Sequence, residues 1–245
     1  MRAACARGLV ALKPGPEIML PVMEKALAGA DESVVREALG ALAAFGSPEA
    51  VPRLIGALKY EGTRPYVVYI LGEQGAAAKP AVEALIKLLD DKNPAVQHEV
   101  PMALGKIGPD AKAAVPALTK ALQEREGTVC YAIVFALGRI GPGAAEAAPA
   151  LLKTLDSKDE SLAMLSAWAL AQIRPKDAKT AAKVVPVLVR ALAEPDAKFR
   201  RGAAEALKQL GPLAKPAVPA LKKALKDEDE SVRAMSAEAL KAIGG

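Results

Sequence analysis

Residues 211–244 read GPLAKPAVPALKKALKDEDESVRAMSAEALKAIG, and two helices can be placed in them from the residues alone. The phrase Val-Pro-x-Leu-x-x-Ala-Leu runs from Val218 to Leu225. Pro219 suits a first helical turn, where its missing N–H has no intrahelical partner to lose. Asp229 then stands as an N-cap with Glu230 as a favourable first-turn residue, and Val232, Ala239, Leu240 and Ile243 line one face at helical spacing. Gly244 closes the pattern as a C′ glycine.

The same unit recurs along the chain. Its second helix ends on Ala-Leu-x-x-Ile-Gly or a close variant, whose anchor Leu falls at 42, 71, 104, 137, 170, 207 and 240, with a degenerate copy at Leu9. The spacings are 29, 33, 33, 33, 37 and 33, so the period is 33 with one four-residue deletion and one four-residue insertion. The Pro of the first helix stands at 21, 52, 116, 149, 186 and 219, with Glu83 in the remaining copy. N-caps are expected at Asp31, Asn93, Asp159, Asp196 and Asp229, and C′ glycines at Gly46, Gly75, Gly108, Gly141, Gly211 and Gly244. Arg174 replaces the glycine in one unit, which predicts an altered turn there. The insertion before Pro186 is about one helical turn, and either a longer first helix in its unit or a local offset of the superhelix would absorb it.

Composition agrees with thin, closely packed helices. The 245 residues are 52% hydrophobic but only 3% aromatic, because roughly a fifth are Ala, and a thick sandwich or barrel core would lack filling. No run of about 18 uncharged apolar residues is present to cross a bilayer, so no membrane insertion is expected. Cys5 and Cys130 lie in no metal or redox spacing, which suits a reducing compartment and makes the cytoplasm the expected location.

The string from Gly211 to Gly244 resembles the HEAT repeat, in the short bacterial form named after phycobilisome lyases. The resemblance covers 1–245 as a single solenoid domain. It implies an all-α fold: a right-handed α-solenoid of about seven helix pairs plus an unpaired N-terminal helix. The Pro-phrase helices would form the convex outside and the anchor-Leu helices the concave inside. The chain opens on an inner-type helix without its outer partner, so it is expected to be a piece of a longer protein or to pack that end on something else. An Arg seven residues before the anchor is a mark of the family. It is present at Arg64, Arg200 and Arg233 and replaced by Val35, Gln97, Cys130 and Ala163, which would interrupt any Asp–Arg ladder in the middle.

Repetition lets one structural position be compared across units. Counted from the anchor, positions minus eight, minus four, minus one, zero and plus three form the apolar stripe, whereas minus six, minus two and plus two share the opposite side. Four consecutive units carry large side chains at minus two: Tyr69, Met102, Phe135 and Trp168. Tyr66, His98, Tyr131 and Met164 extend this column, and Lys106 and Arg139 edge it. An exposed aromatic and Met patch with a polar rim points to a partner protein or peptide held in the concave groove. Burial of the column as ordinary core is the competing reading.

Other chemistries have less support. His98-Glu99 occupies the place where the deoxyhypusine hydroxylases, HEAT-repeat enzymes, carry iron-binding His-Glu pairs, but Tyr131-Ala132, Met164-Leu165 and the other counterparts cannot complete a metal site. No catalytic set can be assembled around a lone His, and no cofactor is implied. On the outer helices Lys25, Lys87, Lys120, Lys153, Arg190 and Lys223 share one position, which is read as a solvated face rather than a rail for phosphates or anionic lipid. Mixed charges in the groove disfavour nucleic acid. The expected function is a non-catalytic interaction scaffold. The alternative is an accessory or lyase-like protein that holds a flat conjugated ligand in the same groove.

Overall fold

The computed structural model describes residues 50–244 apart from Tyr60 and Thr63. The expectations placed on the repeats around Leu9 and Leu42, including the unpaired helix and the Asp31 cap, lie outside the described residues. Contacts divide the chain into two compact units, the first ending at Ala114 and the second running from Val115.

In the first unit, outer helix α1 (Ala50–Ala57) precedes inner helix α2 (Arg64–Glu73), and outer helix α3 (Val82–Lys87) precedes inner helix α4 (Pro94–Ile107). In the second, outer helices α5 (Val115–Glu124), α7 (Ala148–Leu155), α9 (Ala178–Ala191) and α11 (Val218–Ala224) alternate with inner helices α6 (Thr128–Ile140), α8 (Glu160–Ile173), α10 (Ala197–Leu210) and α12 (Glu230–Ile243). Inner helices pack on inner helices in sequence order, α2 on α4 and then α6 on α8, α8 on α10 and α10 on α12, while each also packs on its own outer partner. Nearest-neighbour stacking of this kind is the α-solenoid architecture.

The apolar stripe is where the period places it. All six described anchors, from Leu71 to Leu240, are buried, as are Ile107, Ile140, Ile173, Leu210 and Ile243 at plus three. The position before each anchor is Ala in five of the six units and is buried in all. A single methyl group there lets neighbouring helices approach closely, which explains the shortage of rings.

Caps follow the sequence. The carboxamide of Asn93 accepts from Ala95 N at 2.9 Å, and Asp159, Asp196 and Asp229 accept from Leu162, Lys198 and Ser231 N at 3.1, 2.8 and 2.8 Å. Gly141 ends α6 at φ 71°. Arg174 instead ends α8 at φ −129°, outside the left-handed region, and its guanidinium donates to Ala145 O at 3.0 Å. The turn is therefore altered without being strained.

The glycine does not simply stop the chain. It opens a seven-residue 3₁₀ stretch before the outer helix at Gly75–Ala81, Gly108–Ala114, Gly141–Ala147 and Gly211–Ala217. In the unit with the insertion this stretch is absent. A continuous 14-residue α9 replaces it, started by an Asp177 cap and carrying Pro186 in its interior. The extra turn thus lengthens the outer helix, the first of the two readings the sequence allows. The stretch Thr128–Leu155 reaches the apolarity of a membrane span but comprises α6, a 3₁₀ stretch and α7, and α6 extends only about 20 Å.

Candidate functional site

The inner helices hold their own entry loops through the position seven before the anchor. Arg64 Nε donates to Leu58 O at 2.7 Å, Gln97 Nε2 to Asp91 O at 2.7 Å, Cys130 Sγ to Arg125 O at 3.2 Å, and Arg233 Nη1 to Asp227 O at 2.7 Å. Arg200 does the same with Glu194 O and Pro195 O. Arg64 and Arg200 also reach forward into the next loop, to Asp91 and Asp227. The Arg200–Asp227 pair is bidentate at 2.8 Å, with side chains only 9% and 10% exposed. Its guanidinium is the main reason the Asp227 carboxyl sits below the usual carboxylate range. The ladder is interrupted in the middle, as the sequence indicates. Ala163 offers no donor, and there Thr154 Oγ1 and the buried Ser166 hydroxyl bond each other at 2.8 Å.

With the loops fixed, the large residues at minus two are presented on the inner helices. In the first unit Tyr66 and Tyr69 on α2 stack with ring centroids 6.4 Å apart and planes 13° from parallel. The Lys106 ammonium from α4 lies 4.7 Å from the Tyr69 centroid and also pairs with Glu73. Tyr69 is 43% exposed, Met102 is half-buried, and His98 is exposed with Nδ1 3.5 Å from Glu99 Oε1. Among the described residues no cluster of three or more His, Cys, Asp and Glu is placed to hold a metal ion.

In the second unit Phe135 on α6 and Trp168 on α8 stack at 5.9 Å and 9°. Both are half-buried, whereas Arg139, one turn beyond Phe135, is exposed and forms no ion pair among the described residues. The Tyr131 hydroxyl donates to Asp159, the cap of α8. That bond raises the Tyr131 pKa and is the largest cause lowering that of Asp159. Next to Trp168, the Nε2 of Gln172 is buried without a hydrogen-bond partner.

Met164 departs from the expected surface. It shares the column by register but is only 6% exposed. Its helix α8 is flanked on both sides, by α6 and α10, so a long flexible chain at the flank is covered while Trp168, one turn on, remains half-open. The column is thus neither a fully open patch nor ordinary core.

One column was not anticipated. The residue after each anchor is Gly72, Gly105, Gly138 and Ala171 in four successive units, then Lys208 and Lys241. A Cβ on Gly138 would stand 3.0 Å from Cε3 and Cη2 of Trp168 and closer still to Cζ3, and one on Gly72 would stand 2.9 Å from the Ala103 Cα. Further along the same column, Lys208 pairs with Glu238 at 2.6 Å, so an ion pair takes the place of the Gly–Trp contact. The signal was available: a glycine inside a helix costs about 1 kcal/mol relative to Ala, and three at one repeat position mark a close approach.

Comparison with known proteins agrees with this architecture. The family pattern described as HEAT repeats matches residues 61–133, 115–208 and 185–245, and the PBS lyase HEAT-like repeat matches residues 34–60. No curated protein matches. Among solved structures, the complex of CpcE and CpcF of phycocyanin lyase from Nostoc sp. PCC7120 is 24% identical, covers 94% of this chain and 94% of that chain, and gives a TM-score of 0.63. An engineered protein is 26% identical over 91% of this chain and 68% of its own, with a TM-score of 0.57. A designed armadillo repeat protein in complex with the peptide (KR)4 is 23% identical over 91% and 99%, with a TM-score of 0.53. By these matches, which span more than half of its length, the chain belongs to the family of HEAT repeats.

Proposed function

We propose that this HEAT-repeat scaffold is a non-catalytic binding protein that holds a segment of another protein against its inner helices, with the Phe135–Trp168 pair as the anchor in the second unit. The observation that carries this reading is the set of unused donors around a stacked aromatic pair. The Trp168 indole N–H has no hydrogen-bond partner among the described residues, the Nε2 of Gln172 is buried and unpaired, and Arg139 has no carboxylate among them. Arg139 and Gln172 occupy equivalent positions on α6 and α8, and in the first unit side chains at that position, Glu73 and Lys106, reach each other directly. A segment with an apolar or aromatic side chain beside a carboxylate would pack on the ring and pair with the exposed Arg139. Tyr66 and Tyr69 form the corresponding aromatic feature of the first unit, but Glu73 already neutralises Lys106, so the acidic selectivity belongs to the second.

The test is selection from a displayed random-peptide library on the intact chain, followed by titration with the Trp168→Ala and Arg139→Glu variants. The expected result is enrichment of segments pairing an apolar residue with Asp or Glu, with binding lost in both variants. Failure to enrich any sequence, or equal binding by Trp168→Ala, would sink the proposal. The near-parallel rings also suit a flat conjugated ligand. Trp168-dependent visible absorbance after incubation with an open-chain tetrapyrrole would favour that second reading.

A further inference from the structure

Two neighbouring segments of the outer layer concentrate positive charge. Helix α9 presents Lys179, Lys183 and Arg190, all exposed. The stretch 211–226 presents Lys215, Lys222, Lys223 and Lys226, also exposed. Seven cations and no carboxylate give these two segments +7, against +5 for the whole chain. The segments are neighbours, since α9 packs on the 3₁₀ stretch Gly211–Ala217. None of the seven makes an ion pair among the described residues. Elsewhere some outer cations are paired, as in Lys79–Asp110 at 2.9 Å and Lys120–Glu124 at 3.9 Å, and those left unpaired among the described residues, such as Lys87 and Lys153, stand singly on their helices. In the acidic loop 227–230, Asp227 is held by Arg200 and Asp229 caps α12, which leaves Glu228 and Glu230 as the exposed carboxylates just beyond Lys226.

A second observation selects the occupant. Only two large hydrophobic residues are strongly exposed among the described residues, and one is Leu225, at 39%, flanked by Lys222, Lys223 and Lys226. A phosphodiester backbone has no use for an isolated aliphatic side chain, and the two segments contain no aromatic residue on which a base could stack. Six of the seven cations are Lys, compact point charges rather than the planar forks that fix a carboxylate partner. Diffuse cations around an exposed Leu match the interface of an anionic bilayer, where headgroups draw the ammonium groups in and the apolar side chain enters the boundary. We infer that the outer face formed by α9 and residues 211–226 docks peripherally on anionic lipid surfaces. The periodic cations, read from sequence as a solvated face, acquire this role only here, where the carboxylates are missing and Leu225 is exposed.

The experiment is cosedimentation of the intact chain with vesicles of one part phosphatidylserine to three parts phosphatidylcholine, and with vesicles of phosphatidylcholine alone. Binding is expected only to the former and should weaken with salt. Lys222→Glu with Lys223→Glu should lower partitioning by more than about tenfold and Leu225→Ser by about threefold or more, each with unchanged helicity. Reversal of Lys120, which already has a partner, should leave it nearly unchanged. The proposal fails if phosphatidylserine gives no preference, if reversing Lys120 costs as much as reversing Lys222 and Lys223, or if duplex DNA is bound in place of vesicles. The Trp168→Ala variant should retain vesicle binding, which separates this face from the inner-helix site.

Discussion

The indole of Trp168 on α8 lies across Gly138 on α6, with no room left for a methyl group between them. An internal glycine of one repeat is therefore the seat of the aromatic side chain of the next, and the pair has to be considered together.

Gly138→Ala tests that seat. In an open helix the change would stabilise by about 1 kcal/mol. Here the new Cβ must push Trp168 off its helix, and the net effect is expected to be destabilisation of about 1–3 kcal/mol. Trp168 is the sole tryptophan, so its emission reports the displacement directly. A higher melting temperature with unchanged emission would refute the assignment.

The Arg200–Asp227 pair predicts acid sensitivity. Because the folded-state pKa of Asp227 is depressed, chiefly by the Arg200 side chain, its contribution is complete above the unfolded carboxylate value. It is lost as pH falls through the lower folded value, below about pH 4. Thermal melts of wild type and Asp227→Asn should converge in that range and differ at neutral pH. Parallel curves at every pH would contradict the linkage.

Tyr131 and Asp159 join adjacent repeats through one hydrogen bond. Asp159→Ala should cost about 1 kcal/mol through loss of the α8 cap. It should also return the raised Tyr131 pKa towards its ordinary value, which an ultraviolet titration of tyrosinate would show. Tyr131→Phe should leave the cap bond to Leu162 N in place and cost less.

Ser166→Ala should destabilise by about 1 kcal/mol, since it removes a buried hydroxyl bonded to Thr154 Oγ1 and Leu162 O. Ser236, the equivalent residue on α12, has a buried hydroxyl without a partner, and Ser236→Ala should be neutral or stabilising. Chemical denaturation of the two variants makes the comparison, and equal losses would argue against it.

The period-33 arithmetic was sufficient to place the anchors, the Asn and Asp caps and the helix pairs, because each depends on local chemistry repeated in every unit. Repetition also located Tyr69, Phe135 and Trp168. Their degree of exposure depends on packing between units of sequence 33 apart: Met164 is covered where Tyr69 is open, although the two belong to the same surface by register. The 3₁₀ stretches were missed because Gly-Pro after a helix reads equally well as a simple stop. The role of Gly138 was missed for a different reason, since only C′ glycines were matched to a conformational need.

The side chains that grip the loops have a mechanical consequence. Gln97, Arg200 and Arg233 each clamp the segment leading into their own helix, so loop and helix move as one stiff element. Ala163 has no such clamp, and the loop before α8 is gripped instead from the preceding repeat by Tyr131. Bending between those two repeats is thereby felt at the first turn of the helix that carries Trp168, so strain at this joint reaches the proposed binding surface.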